Sequence, residues 1–163
     1  MIKQKNENEM TFKDCIGKSN AEKFLNQHNI QNYTIFFSNG TPHIIIDVEG
    51  NVILSGKNLT NAGIPVKFRR VSGNFDCSNN QLTSLDFAPE EVGENFYCDN
   101  NNITSLSKAP IYIGGNFYCC NNKLTNIDDI STKYVGKNFY TRNNDIKDYK
   151  VLNEIVKGIK VYY

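Results

Sequence analysis

The chain of 163 residues contains no tryptophan, only two histidines and no long apolar run. No segment approaches the ~20 apolar residues that a membrane helix needs, and residues 1–9 lack the apolar centre of a signal peptide. The formal net charge is +1, from 18 basic and 17 acidic residues, so the chain has no excess of positive charge to attract a phosphate backbone. These absences predict a cytoplasmic protein that binds no membrane, and they argue against nucleic acid as its partner.

Residues that carry out catalysis are also scarce. The two histidines, His28 and His43, lie next to no motif that would make either of them a base or a ligand. The chain has no nucleophile elbow, phosphate-binding glycine loop, metal-ligand cluster or paired-carboxylate pattern, and Asp128 and Asp129 are typical of a solvated loop. We therefore predict a protein that is not an enzyme and that uses no cofactor and no metal.

What the chain does contain is one repeated pattern. Phenylalanines stand at positions 75, 96, 117 and 139 and asparagines at 80, 101, 122 and 144, so both series step by 21, 21 and 22 residues. A unit this short cannot bury its own apolar side, so successive copies must stack and share one core. We call each copy a rung. The pattern predicts a solenoid.

Cysteine follows the same period. Cys77, Cys98 and Cys119 recur with the rungs, and five cysteines are an odd number, so they belong to the repeat rather than to a disulfide framework. This usage fits a reducing compartment. We expect the three to form an inward column of small apolar fillers; metal binding and redox chemistry are the alternatives.

The alternation of a strand gives each position of the rung a role. It sends Phe75 and Cys77 inward, with Leu82, Leu85 and Val92 closing the coil. Each asparagine of the second series sits where the chain turns out of the strand. There its buried amide is expected to hydrogen-bond backbone groups of its own rung and of the next one.

The frame Phe-x-Cys-x-x-Asn-x-Leu-Thr-x-Leu resembles a leucine-rich repeat. Residues 92–106 and 113–119 are similar to the short repeats of bacteriophage and bacterial proteins of unassigned role. The resemblance covers roughly residues 52–149 and implies a stack of rungs with one parallel sheet. It says little about function, because members of this family bind many unlike things.

The complete prediction is a mostly β, α/β solenoid of about five rungs over residues 52–149, with a cap at each end. In the first rung Val52 takes the phenylalanine position and Lys57 the asparagine position. The N-terminal cap, residues 1–51, is predicted to hold a disordered start, a helix over 19–28 and a hairpin of 33–37 and 43–48. The C-terminal cap, residues 150–163, is predicted to hold a helix over 150–157 and a strand over 159–163.

The outward strand positions contain the candidate binding site. They place three tyrosines in a row, flanked by a row of asparagines and by three charged side chains, and the residues are Tyr97, Tyr118, Tyr140, Asn95, Asn116, Asn138, Asp76, Asp99 and Arg142. Tyrosine and arginine are the residues that anchor interfaces. The alternative is that the tyrosines only stabilise neighbouring strands. A second charged cluster, Arg69 and Arg70, is expected to lie beside Glu90 and Glu91 as surface ion pairs.

These features predict a protein–protein interaction module. Given the phage-like repeats, an inhibitor or modulator of a host protein is its concrete version. The alternatives are an assembly protein that self-associates through its end strands, and a module that stacks carbohydrate or single-stranded nucleic acid on the tyrosines. The oligomeric state stays open.

Overall fold

The computed structural model describes residues 2–3, 10–38, 44–150 and 161–162, and it shows a solenoid whose strands alternate between two sheets. The first sheet has the order β1-β2-β3-β5-β7-β9-β11, with strands at Ile2–Lys3, Tyr33–Ser38, Ile44–Val48, Val66–Val71, Glu91–Val92, Tyr112–Ile113 and Tyr134–Val135. The second sheet contains β4, β6, β8, β10, β12 and β13, which are Val52–Ile53, Phe75–Asp76, Phe96–Tyr97, Phe117–Tyr118, Phe139–Tyr140 and Val161–Tyr162. The four steps from β4 to β12 are four turns of the coil.

The register of the second sheet confirms the repeat. Val52 pairs with Phe75, and Phe75, Phe96, Phe117 and Phe139 then pair in succession, all in parallel strands. The first rung, whose sequence matches the repeat only in part, is therefore part of the solenoid. Val161 continues the series beyond Phe139, so the predicted end strand extends this sheet, whereas residues 151–157 of the predicted C-terminal helix lie outside the described residues.

The sequence indicated one parallel sheet, and the structure has two. The additional sheet passes through Val71, Val92, Ile113 and Val135, which are in register and buried. Val92 had been assigned only to closing the coil. Its strand has two residues, of which one points inward, and so short a segment has no alternation that could reveal it.

The core is continuous between the two sheets and the helix. The phenylalanines of the four central rungs are completely buried, and their ring centroids follow one another at 5.8, 5.2 and 4.6 Å. The cysteine column lies beside them. The thiols of Cys77 and Cys98 donate to the carbonyls of Tyr97 and Tyr118, with sulfur–oxygen distances of 3.3 and 3.4 Å. Burial raises the pKa of all three column thiols, so they remain neutral fillers.

Four strands of the second sheet, β6, β8, β10 and β12, are each followed by two asparagines that have different roles. The first member has a left-handed backbone, with φ of 55° at Asn79, 54° at Asn100, 53° at Asn121 and 57° at Asn143. Asparagine tolerates this region better than other residues with a Cβ, and the first rung uses Gly56 there, with φ 65°. The second member is the predicted buried asparagine. Its amide bonds its own rung and the preceding one, rather than the next one.

Glycine marks one corner between the sheets because adjacent rungs approach very closely there. A Cβ at Gly93, Gly114 or Gly136 would lie 2.1 Å from a backbone carbonyl oxygen of the preceding rung. Such a distance is far inside van der Waals contact. Only glycine fits without moving a rung.

The N-terminal cap contains a longer helix than the sequence indicated. Helix α1 spans Phe12–Gln27 instead of 19–28, because Thr11 and Asp14 form a capping box in which each accepts the other's backbone N–H, at 3.2 and 2.8 Å. Ser19, the first residue of the predicted helix, lies inside it. The helix buries Ala21, Phe24 and Leu25 in the common core. The predicted hairpin is confirmed in the antiparallel pairing of β2 with β3, and residues 39–43, including His43, lie outside the described residues.

Candidate functional site

The predicted tyrosine row forms a stack of parallel rings on the outer face of the second sheet. The ring centroids of Tyr97 and Tyr118 are 4.7 Å apart and those of Tyr118 and Tyr140 are 4.5 Å apart, with 4° between the planes in both pairs. Parallel strands in register repeat every ~4.8 Å, close to the stacking distance of aromatic rings. We call Tyr97, Tyr118 and Tyr140 the tyrosine stack. All three side chains are half-buried.

The predicted asparagine row forms a hydrogen-bonded ladder. The Oδ1 atom of Asn95 accepts from the backbone N and from Nδ2 of Asn116, at 2.7 and 3.0 Å. The same paired contact joins Asn51 to Asn74 and Asn74 to Asn95, and Asn116 accepts from the backbone N of Asn138. The side chains of Asn51, Asn74, Asn95 and Asn116 therefore link successive rungs, which makes the surface beside them rigid. The side chain of Asn138 instead donates to the hydroxyl of Tyr140 in its own rung, at 3.3 Å.

Three carboxylates surround the first ring of the stack. Asp76 accepts from the N and Oγ of Ser78 at 2.9 and 2.6 Å. Asp99 accepts from the N of Cys120 at 2.8 Å, and Glu94 accepts from Nδ2 of Asn74 at 2.5 Å. The pKa of Tyr97 is raised, first by burial and then by these three carboxylates. The sequence identified Asp76 and Asp99 but missed Glu94, whose equivalent positions hold Gly73, Gly115 and Lys137.

The opposite end of the face is basic. Arg142 is exposed and stands in the same outward column as Asp99, two rungs further along the coil. Cys120 lies between them. Its thiol is only partly exposed, and burial followed by the charge of Asp99 raises its pKa. The face therefore has an acidic end beside Tyr97 and a basic end beside Tyr140.

The first sheet carries a second pair of stacked tyrosines, which the sequence analysis missed. The rings of Tyr112 and Tyr134 are 4.9 Å apart, and these side chains are 44% and 41% exposed. The signal was available: each tyrosine immediately precedes an inward residue, Ile113 or Val135, and the two stand 22 positions apart.

The basic cluster near this pair is neutralised by ion pairs. Arg70 pairs with Glu91 as predicted, with Nε and Oε2 2.7 Å apart. Arg69 was expected beside Glu90, but it forms its ion pair with Asp47 and lies over the ring of Phe36, at 4.2 Å from the centroid. Lys67 forms the ion pair with Glu90 instead, with Nζ and Oε1 3.5 Å apart. The bulge between Ile46 and Asp47 in the pairing of β3 with β5 shifts the register by one residue, and the sequence gives no sign of it.

The remaining titratable residues that the structure describes form no cluster that could hold a metal ion. His28 packs its ring 4.5 Å from that of Phe24, and burial, followed by the charge of Lys57, lowers its pKa. Asp128 and Asp129 are exposed, as expected for a solvated loop. Within the described ranges, no three His, Cys, Asp or Glu side chains converge in a way that could hold a metal ion.

Comparison with known proteins adds no relative. No protein-family model matches the chain, and neither a curated protein nor a solved structure matches it. Among the described residues, no helix has the length and apolar character needed to cross a membrane.

Proposed function

We propose that the protein is a non-catalytic interaction module that binds a protein partner through the tyrosine stack. The observation that carries this proposal is the stack itself: three half-buried, parallel rings in line on a surface whose strands are fixed by the asparagine ladder. A rigid aromatic surface loses little conformational entropy on binding, and tyrosine combines apolar area with a hydrogen-bonding hydroxyl. Strand stabilisation alone explains the stacking but not the charges at both ends of the face.

The size of the face limits the kind of complex. Five strands at ~4.8 Å spacing and ~4 residues of ~3.3 Å give roughly 20 by 13 Å, whereas stable partners bury ~800 Å² on each side. A tight partner must therefore reach beyond the strands. The N-terminal cap is the nearest extension, because Ile53 continues the tyrosine column toward it and is 48% exposed.

The concrete form of the proposal is an inhibitor or modulator of a host protein that acts in the cytoplasm. The resemblance of the rungs to short phage and bacterial leucine-rich repeats supports the role of inhibitor or modulator. The five free cysteines support a reducing compartment. Nucleic acid is disfavoured as the partner because three carboxylates beside Tyr97 would repel phosphates at one end of the stack.

Assembly through end strands is the second candidate. The observation that favours it is the parallel pairing of β13 with β12, which adds Val161–Tyr162 to the second sheet. A strand at the end of a sheet can pair with a strand of another chain. Light scattering over a range of protein concentrations tests this candidate, since a mass that stays at one chain throughout would rule out self-association.

The main proposal is tested by affinity capture from a host lysate with three immobilised proteins. They are the wild type, the variant Tyr97→Ala/Tyr118→Ala/Tyr140→Ala, and the control Tyr112→Ala/Tyr134→Ala, which removes the other tyrosine pair. We expect the wild type and the control to retain the same protein and the triple variant to lose it, with circular dichroism confirming that all three fold. Equal retention by all three would reject the tyrosine stack as the binding surface.

A further inference from the structure

We propose that the partner of the tyrosine stack places an arginine side chain against the ring of Tyr97, in a slot between Tyr97 and Ile53 whose charge comes from Asp76, Glu94 and Asp99. The inference rests on the proposed function and gives the partner a specific chemistry.

The slot exists because the tyrosine stack stops at Tyr97. One side of that ring is covered by Tyr118, but on the other side the residue in register is Asp76, followed by Ile53. Asp76 has no ring, and its carboxylate is hydrogen-bonded to Ser78. The outward position of this rung therefore does not continue the stack. Tyr97 and Ile53 are two strand spacings apart, ~9.6 Å. One planar group fits between them at van der Waals distance from both.

The carboxylates beside the slot differ from the other acidic groups of the two sheets. On the first sheet, Asp47, Glu90 and Glu91 each pair with a lysine or arginine. In the described part of the chain, by contrast, no salt bridge includes Asp76, Glu94 or Asp99. The hydrogen bonds to Asp76 and Glu94 each reach a single carboxylate oxygen, and a carboxylate can accept at both. The partly buried Asp99 would gain most from a cation, because burial already raises its pKa.

Arginine matches this combination better than the other cations. Its guanidinium is planar, stacks on aromatic faces and donates in a fork to carboxylates. A metal ion instead needs ligands that converge on one point, which these three carboxylates do not do among the described residues. Lysine carries a positive charge but has no planar group that could stack on the ring of Tyr97. An arginine therefore uses both the ring of Tyr97 and the surrounding acids.

The basic end of the face determines the direction of the partner. Arg142 lies two rungs beyond Asp99 and three beyond Asp76, which is ~10–14 Å along the coil. An extended segment spans that distance with three to four residues, at ~3.3 Å each. We therefore expect the partner segment to carry an acidic residue about three positions from its arginine, running across the strands from Tyr97 toward Tyr140.

The test is a titration followed by the aromatic ring signals of the tyrosines in nuclear magnetic resonance spectra. The probe is an acetylated, amidated hexapeptide, Gly-Arg-Ser-Ser-Glu-Gly, and its control replaces arginine by the neutral, nearly isosteric citrulline. We expect the arginine peptide to shift the Tyr97 signals saturably in the millimolar range, and the citrulline peptide to bind at least about threefold more weakly. Equal binding of both peptides, or no shift at Tyr97, would overturn the proposal.

A charge-only variant makes the test specific. Asp76→Asn, Glu94→Gln and Asp99→Asn together keep the acceptor oxygens that bond Ser78, Asn74 and Cys120 and remove only the charges. This variant is expected to bind the arginine peptide roughly fivefold more weakly than the wild type does. The matched control, Asp86→Asn/Asp128→Asn/Asp129→Asn, changes the net charge equally on exposed turns away from the slot, and it should bind the peptide like the wild type. Equal weakening in both variants would show a nonspecific charge effect and would contradict the slot.

The same variants separate this inference from the proposed function. If the captured host protein is lost with the tyrosine triple variant but retained fully by the charge-only variant, the stack binds the partner without the arginine and only the inference fails. If both variants retain it like the wild type, the proposed function fails as well. Concentration-dependent broadening of the Tyr97 signals without any peptide would assign the slot to a second copy of the chain and would likewise contradict the inference.

Discussion

The side chain of Asn101 accepts a hydrogen bond from the backbone N of Leu82, a residue of the preceding rung, at 3.0 Å. Its Nδ2 atom donates back to the carbonyls of Cys77 and Cys98, at 3.0 and 3.1 Å. One buried amide thus satisfies backbone groups of two rungs at once. Asn80, Asn122 and Asn144 repeat this pattern, so the coil depends on this column as much as on its phenylalanines.

Asn101→Ala should therefore lower stability markedly. The substitution leaves the backbone N of Leu82 without its acceptor, and an unsatisfied buried group costs ~1–3 kcal/mol. The carbonyls of Cys77 and Cys98 each lose one of two side-chain donors and keep the other, from Asn80 and Asn122 respectively. The measurement is the midpoint of thermal unfolding, with Gln81→Ala, at an exposed side chain in the neighbouring rung, as the control. A melting temperature equal to that of the wild type would contradict the role of the asparagine column.

Phe96→Ala should destabilise the core through a cavity. The ring of Phe96 is completely buried and contacts those of Phe75 and Phe117. Truncating a buried phenylalanine costs ~3–5 kcal/mol, and Phe96→Leu, which keeps most of the volume, should cost less. Urea unfolding of the two variants measures the difference. If the two variants lose equal and small amounts of stability, the predicted packing around residue 96 is wrong.

Gly114→Ala tests the close approach of rungs at the corner. A Cβ at this position would lie 2.1 Å from the carbonyl oxygen of Gly93, so a rung must move to admit it. Overpacking of this kind costs ~1–3 kcal/mol or more. Gly63→Ala is the matched control, since its nearest neighbours would be 3.9 Å away. Denaturant unfolding should show a large loss for the first variant and almost none for the second; equal stability would contradict the corner geometry.

The five thiols should react in the order of their exposure. Cys15 is exposed, Cys120 is partly buried, and Cys77, Cys98 and Cys119 are completely buried with raised pKa values. Because the thiolate is the reactive species, iodoacetamide should label Cys15 first and Cys120 slowly, and should label the column only after unfolding. Mass spectrometry of peptides from the native protein follows each site. Rapid native labelling of Cys98 would show that the column is not sealed.

Asp99 gives a pH dependence whose sign follows from burial, which raises the pKa of its carboxyl. The folded state then binds the proton more tightly than the unfolded chain, so this group lowers stability as pH rises from about 3.9 to the folded-state pKa and beyond it the penalty is constant. Asp99→Asn keeps the acceptor for the backbone N of Cys120 and should be slightly more stable than the wild type near ~pH 7. The gain should disappear at the acidic end of a pH series of urea unfolding curves. A gain in stability that increases as the pH falls would contradict the raised pKa of Asp99.

The sequence was most informative where a large residue repeats. Phe75, Phe96, Phe117 and Phe139 define one strand column, and the exposed side of that column followed directly from strand alternation. The parallel strands of the first sheet were missed because Val92 or Ile113 is the only inward residue of its strand. The helix start was missed because the capping pair Thr11 and Asp14 precedes a segment with little apolar periodicity.

The candidate site was predictable only in part for a similar reason. Tyr97, Tyr118 and Tyr140 recur at the repeat period, whereas Glu94 is a single acidic residue in a column that otherwise holds glycine and lysine. The position of Glu94 beside Tyr97 depends on its hydrogen bond to Asn74, which is a tertiary contact. The ladder role of Asn95 and Asn116 likewise depends on amide orientation, which residue identity does not determine.

The most direct test of the account places the photo-crosslinking residue p-benzoylphenylalanine at single positions. At Tyr118, the centre of the tyrosine stack, it should capture the host partner on irradiation. At Tyr134, on the other sheet, it should capture none. Capture from position 134 but not from position 118 would contradict the claim that the tyrosine stack is the binding surface.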